Sequence, residues 1–125
     1  MSDPVFEITK AAAFDAAHRL PDGGPDGSRY ARLHGHSFRV EATVRGQARP
    51  PVGWVEDLAA LDVALKEVAG ALDHGLLNDV PGLESPTLEA LCLHFAAALQ
   101  PRFPGLCRIA VSRPSIGENC VLAVR

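Results

Sequence analysis

Cysteine is scarce in this chain of 125 residues: Cys92, Cys107 and Cys120 are all there is, with no C-x-x-C pair among them. An odd, widely spaced set argues against a disulfide framework or a structural zinc knuckle and fits a reducing cytoplasm. An excess of positive charge is also missing. The net charge is −3 and the pI is near 5.9, which gives neither nucleic acid nor an anionic membrane an electrostatic footprint. No apolar run approaches membrane-spanning length, and the opening MSDPVFEITK lacks the charged, apolar, small-residue order of a signal peptide. Internal repeats and low-complexity tracts are absent as well. The expectation is a cytoplasmic protein whose partners include neither nucleic acid nor membrane.

What is present is material for a core. A hydrophobic content of 47% with 22% charge marks a soluble globular chain. Its length suits one domain, residues 1–125, and not two.

Two stretches alternate in character. From His34 the even positions read His34, His36, Phe38, Val40, Ala42 and Val44, and the odd ones include Ser37, Arg39, Glu41, Thr43 and Arg45. Upstream, the even positions run Phe6, Ile8, Lys10, Ala12, Phe14, Ala16 and His18. Alternate residues of a strand share a face, so both inward faces end in histidine. If the two strands pair as an antiparallel hairpin, the three imidazoles of His18, His34 and His36 meet at one end of a buried face. That is the ligand set of a catalytic Zn²⁺ with an open fourth position.

The remaining chain follows a simple plan. Strands are expected over 4–18 and 34–45, separated by a turn-rich loop from Pro21 to Ser28. Leu58, Leu61, Leu65, Val68 and Leu72 recur at helical spacing, which predicts a helix from about Glu56 to Leu72. A second helix is expected to start at Ser85-Pro86, with Leu88, Leu91, Cys92, Phe95 and Leu99 as its apolar stripe. Two strands close the chain, one with Cys107, Ile109 and Val111 on a face, the other with Cys120, Leu122 and Val124. The order is β-β-α-α-β-β.

Several runs resemble one family. His18-Arg19-Leu20-Pro21, Arg32 to Phe38, Gly53 to Leu58, Leu72-Asp73-His74-Gly75-Leu76-Leu77-Asn78-Asp79 and Ser85-Pro86-Thr87 are similar to the 6-pyruvoyltetrahydropterin synthase family. Its bacterial branch, 6-carboxytetrahydropterin synthase of queuosine biosynthesis, is the most alike. The resemblance implies the tunnelling fold (T-fold), an α+β architecture with a four-stranded antiparallel sheet and two helices on one face. It implies a homo-oligomer, a trimer doubled to a hexamer, and Zn²⁺ on His18, His34 and His36. It also implies a lyase acting on a small pterin, 7,8-dihydroneopterin triphosphate. Asp73 and His74 match the family's proton relay, contributed across a subunit interface, and Thr87 matches a position near the pterin.

Two positions depart from the pattern. Where the family carries its catalytic cysteine, four residues before the first histidine of His-x-His, this chain has Tyr30. A phenol with a pKa of about 10 is a weaker proton-transfer base than a thiol near about 8.5, so Tyr30 is expected as a weaker acid or as a cover over the site. Where the family anchors pterin with a glutamate, this chain has Arg113, which offers only donors. Glu118, five residues later, takes that role if the turn folds back, and Cys120 could also approach the site.

Plainer readings accompany each candidate. Asp73-His74 also suits a helix terminus, Thr87 a helix cap, and Arg113 a surface strand or an anion contact. His94, Cys92, Cys107 and Cys120 read as structural. The leading functional expectation is a zinc-dependent pterin lyase. The alternatives are a divergent enzyme on another pterin or a purine-like substrate, and a zinc-containing binding protein without catalysis.

Overall fold

Two long strands carry the histidines to one end of a sheet. The computed structural model describes residues 3–21 and 29–125. In it, β1 (Phe6–His18) and β2 (His34–Gly46) pair antiparallel along their whole lengths, with His18 opposite His34, Ala16 opposite His36 and Phe14 opposite Phe38. A slip of one residue would turn Phe14, Phe38, Val40 and Val44, all buried, out to solvent. The register is therefore fixed by the same alternation that brings the histidines together. Apart from Pro21, the segment expected as a loop over 21–28 lies outside the described residues.

Helix α1 (Leu58–Leu72) is capped by Asp57, whose carboxylate accepts from the amides of Ala59 and Ala60 at 2.9 and 3.3 Å. Helix α2 (Leu88–Leu99) begins later than Ser85-Pro86 suggests. Its cap is Thr87, whose hydroxyl accepts from the Ala90 amide at 3.1 Å. A hydroxyl three residues ahead of an orphan amide reaches it directly, so the residue after the proline closes the helix.

Strands β3 (Leu106–Arg113) and β4 (Glu118–Ala123) complete an antiparallel sheet of order β1-β2-β3-β4. The β2–β3 register shifts at Thr43/Val44, so Leu106 stands opposite Val44 and Arg108 opposite Thr43. The bulge corrects the expected Cys107 face: Leu106, Ile109 and Val111 are buried, and Cys107 is only half-buried. Cys92 is fully buried, and burial pushes its thiol up to about 12. Cys120 is half-buried against the core.

The helices cover the inward face, α1 against β1 and α2 against β3 and β4. Phe14 and Phe38 stack with ring centroids 5.0 Å apart and Phe95 of α2 closes over Phe14. This core stops where the histidines begin. Among the described residues, no helix is long and apolar enough to cross a membrane.

Candidate metal centre and substrate cavity

His18 lies at the end of β1 with no exposed surface. Its Nδ1 is 3.0 Å from the carbonyl oxygen of Pro86, and Nδ1 of His34 is 2.6 Å from that of Arg32. A carbonyl only accepts, so each Nδ1 carries the proton and each Nε2 is left with its lone pair. Those two Nε2 atoms face each other at 3.1 Å. His36 completes a group whose ligand atoms all lie within 4.8 Å of one another.

Burial, the larger effect, then the neighbouring charges of His34 and Arg113, holds His18 below its ordinary pKa despite the Pro86 contact. Burial, followed by the charge of Arg113, lowers His36 to about 4. Imidazole lone pairs brought this close repel unless a cation stands between them, so the donor set fits a divalent metal ion.

The carbonyl of Pro86 is a feature the sequence reading missed. Ser85-Pro86 signals only a helix start, yet the Pro86 carbonyl orients His18. The end of β1 is secured further by Asn78, whose side chain accepts from the Arg19 amide at 3.0 Å and donates to the Arg19 carbonyl at 2.8 Å. A short acceptor–donor residue in a Leu-Asn-Asp turn was the available signal.

Beside the imidazoles lies a cavity of 510 Å³, lined by His34, His36, Tyr30, Ile116, Arg113 and Glu118 together with Arg29, Arg32 and Leu33. Tyr30 thus shares a wall with the histidines, and the Arg29 guanidinium carbon sits 5.4 Å from its ring centroid. The turn after β3 does fold back, since Glu118 is the direct cross-strand partner of Arg113. Both enter the cavity. Cys120 lines a neighbouring recess with Arg113 and Glu118, and is not part of this wall. Thr87 spends its hydroxyl on the α2 cap and lines neither of the cavities next to the histidines. His94 is half-buried on α2 beside Phe95, where burial lowers its pKa.

Asp73 and His74 belong to a different wall. Asp73 caps the C-terminus of α1, its Oδ1 accepts from the Asp15 amide at 2.8 Å, and its Oδ2 lies 2.8 Å from His74 Nδ1. His74 has a left-handed backbone, φ 59°, uncommon for a residue with a side chain. Its amide is held by the Asp15 carbonyl at 2.6 Å. The pair carries its partner effects in both directions. The Asp15 amide and then His74 lower Asp73, and Asp73 raises His74. His74 lines a second cavity of 760 Å³ with Asp15, Gly35 and Ser37, which meets the first only at His36 and Ile116. Its side chain is 81% exposed.

Three histidines placed to hold a metal at the open end of a helix-covered antiparallel sheet mark a T-fold protein. The profile of the 6-pyruvoyl tetrahydropterin synthase family matches residues 7–123, and the chain belongs to that family. It is 38% identical over 124 residues to the 6-carboxy-5,6,7,8-tetrahydropterin synthase of Synechocystis sp., covering 94% of this chain and 90% of the relative. It is 32% identical over 112 residues to the dihydroneopterin monophosphate aldolase of Pyrococcus furiosus, covering 90% and 89%. The solved 6-pyruvoyl tetrahydropterin synthase of Caenorhabditis elegans superposes with a TM-score of 0.85 at 23% identity, covering 100% of this chain and 99% of that one. Members of the family with these names process pterins.

Proposed function

We propose that the chain is a zinc-dependent lyase that acts on 7,8-dihydroneopterin triphosphate in the manner of a 6-carboxytetrahydropterin synthase, with His18, His34 and His36 holding the zinc. The observation that carries the reading is the pair of Nε2 lone pairs of His18 and His34 at 3.1 Å, with both Nδ1 protons committed to carbonyls, beside a cavity large enough for a bicyclic ligand. When bound, zinc lowers the proton affinity of substrate oxygens and stabilises charge that develops on them.

The chain's own residues handle position and protons. Asp73 fixes the Nδ1 proton of His74 and leaves its Nε2 to take a proton from the substrate side chain. His74 is 81% exposed and lines a different cavity from the one beside Tyr30, which supports a reading in which it serves a neighbouring subunit and the active form is a trimer or a dimer of trimers. Tyr30, beside the imidazoles, supplies a phenolic proton where relatives place a thiol. Three unpaired cysteines agree with a cytoplasmic location, and a carboxylated product would assign the protein to queuosine biosynthesis.

Retro-aldol cleavage of a related dihydropterin is a second reading, favoured by Tyr30. That reaction removes a proton from a side-chain hydroxyl instead of from carbon, a step that His74 can take without a thiol. Incubating the zinc-loaded protein with dihydroneopterin triphosphate and, separately, the monophosphate separates these readings by mass spectrometry. A 6-carboxylated product supports the first and a 6-hydroxymethyl product the second. No conversion of either overturns both.

A further inference from the structure

Asp15 meets the relay pair along the free edge of β1. Its amide donates to Asp73 Oδ1 at 2.8 Å, and its carbonyl accepts from the His74 amide at 2.6 Å. Both backbone groups therefore point away from β2, and the cross-strand pair of Asp15 with Ser37 has no ladder hydrogen bond between its members. Such pairs bring their Cα atoms closest, so short side chains can touch across the strands. The Ser37 hydroxyl donates to Asp15 Oδ1, and Ser37 directly follows His36.

An exposed serine–carboxylate pair on a sheet normally steadies two strands and nothing more. This one has two further connections. Through its backbone, Asp15 holds both members of the relay, including the amide of a residue whose left-handed backbone, φ 59°, is unfavourable without support. Through Ser37, its carboxylate is tied to the strand end that carries His34 and His36. Asp15, His36, Ser37 and His74 line the same 760 Å³ cavity. The titratable groups that share the surroundings of His74 are Asp73 from the end of α1, Asp15 from β1 and His36 from β2. After the effects of Asp73, the Asp15 charge also raises His74.

We propose that Asp15 is a positioning residue for the relay: its carboxylate, anchored by Ser37, fixes Asp73-His74 relative to the strand end that carries His34 and His36 and presents a second negative charge to the imidazole. The proposal rests on the reading of His74 as the proton acceptor of a pterin lyase and adds what keeps that acceptor in place. When His74 takes up a proton, the imidazolium faces two carboxylates in place of one. Asp15 and His74 are both exposed, so water screens the charge and placement is the larger effect.

The test uses the zinc-loaded, assembled protein and NMR of histidine labelled at Cε1, with the His74 signal assigned by its loss in His74→Gln. Asp15→Asn keeps an acceptor for Ser37 and removes the charge. It is expected to lower the His74 titration midpoint. Ser37→Ala keeps the charge and removes the anchor. It is expected to displace the His74 signal and to cut kcat on dihydroneopterin triphosphate by about 10-fold, the scale of a hydrogen bond to a charged group, with KM and zinc content unchanged. Ser37→Thr, which keeps the hydroxyl, should restore kcat. An unmoved His74 midpoint in Asp15→Asn, or an unchanged kcat in Ser37→Ala, overturns the proposal and leaves the lyase reading standing. If wild type converts no pterin, the lyase reading fails, and the His74 midpoint in Asp15→Asn and signal position in Ser37→Ala still decide whether Asp15 positions the relay.

Discussion

His74 Nδ1 sits 2.8 Å from Asp73 Oδ2, at the only non-glycine residue with a positive φ among those described. The carboxylate favours the imidazolium, so the His74 pKa lies above its ordinary 6.5. A base must be neutral, and kcat is therefore expected to rise with pH along a limb above that value. Asp73→Asn should move the limb down toward 6.5 and lower the plateau. The stability linked to the His74 charge runs the opposite way. It is present below 6.5 and lost as pH rises through the raised folded value, and Asp73 keeps it only above its own depressed pKa. Thermal melts of Asp73→Asn against wild type across pH 4–9 should show the difference shrinking at the alkaline end.

The metal centre gives a second expectation. Purified protein should contain one zinc per chain by elemental analysis, and His34→Ala should contain none, because two neutral imidazoles rarely hold zinc tightly. Removal of zinc by a chelator should lower the melting temperature, since binding to the folded form alone stabilises it. A metal-free wild type with an unchanged melt would contradict the site.

Tyr30 is tested by taking away only its hydroxyl. If the phenol supplies a proton during turnover, Tyr30→Phe should lower kcat by about 100-fold, the lower end of general acid–base contributions. Tyr30→Cys, which brings a thiol to the same wall, should retain or exceed wild-type turnover. A Phe variant with unchanged kcat would reduce Tyr30 to a cover over the cavity.

The histidine triad was legible because a period of two is a rigid rule: once His18 and His34–His36 were placed on inward faces, pairing alone brought them together. The apolar stripe of α2 was legible for the same reason at helical spacing. Other features depend on what the backbone does between elements. The bulge that buries Leu106 in place of Cys107 leaves no mark in an alternating pattern. Thr87 rather than Ser85 caps α2 because the cap is decided by which hydroxyl meets an orphan amide. The pairing of Arg113 with Glu118 required knowing that the turn through Pro114–Ile116 and Gly117 closes in register. Pro86's hold on His18 uses a carbonyl, which every residue has, and no sequence pattern advertises it.

Phe38 links the core to the site. It is buried at 1% exposure, stacks on Phe14, and meets the edges of both His18 and His36. Phe38→Ala should cost about 3–5 kcal/mol of stability and should weaken zinc retention, because the cavity opens directly beneath two ligands. Phe38→Leu should lose less of both. Chemical denaturation with zinc analysis of the folded fraction checks the coupling, and a destabilised variant with full zinc affinity would show the two to be independent.

The last expectation concerns assembly. β1 and β4 are the sheet's edges, and an unpaired edge is an open invitation to another strand. Val5, Phe6 and Val121 are exposed on or next to them. His74, meanwhile, is turned outward and lines a cavity that its own chain's cavity meets only at His36 and Ile116. If edges pair between subunits and one chain's His74 completes its neighbour's site, two inactive variants should rescue each other. His34→Ala lacks the metal centre and His74→Ala lacks the relay, so each alone should be inactive. Unfolded together at equal amounts and refolded, they should form oligomers in which a His74→Ala chain supplies the metal centre and a His34→Ala neighbour supplies the relay. Random assembly makes that arrangement at about one quarter of the sites, so activity should return to about a quarter of wild type. Light scattering should give a mass in multiples of three chains. A mixture that stays inactive while assembling normally would place both halves of the site in one chain, and a monomer by light scattering would remove the basis for a shared site altogether.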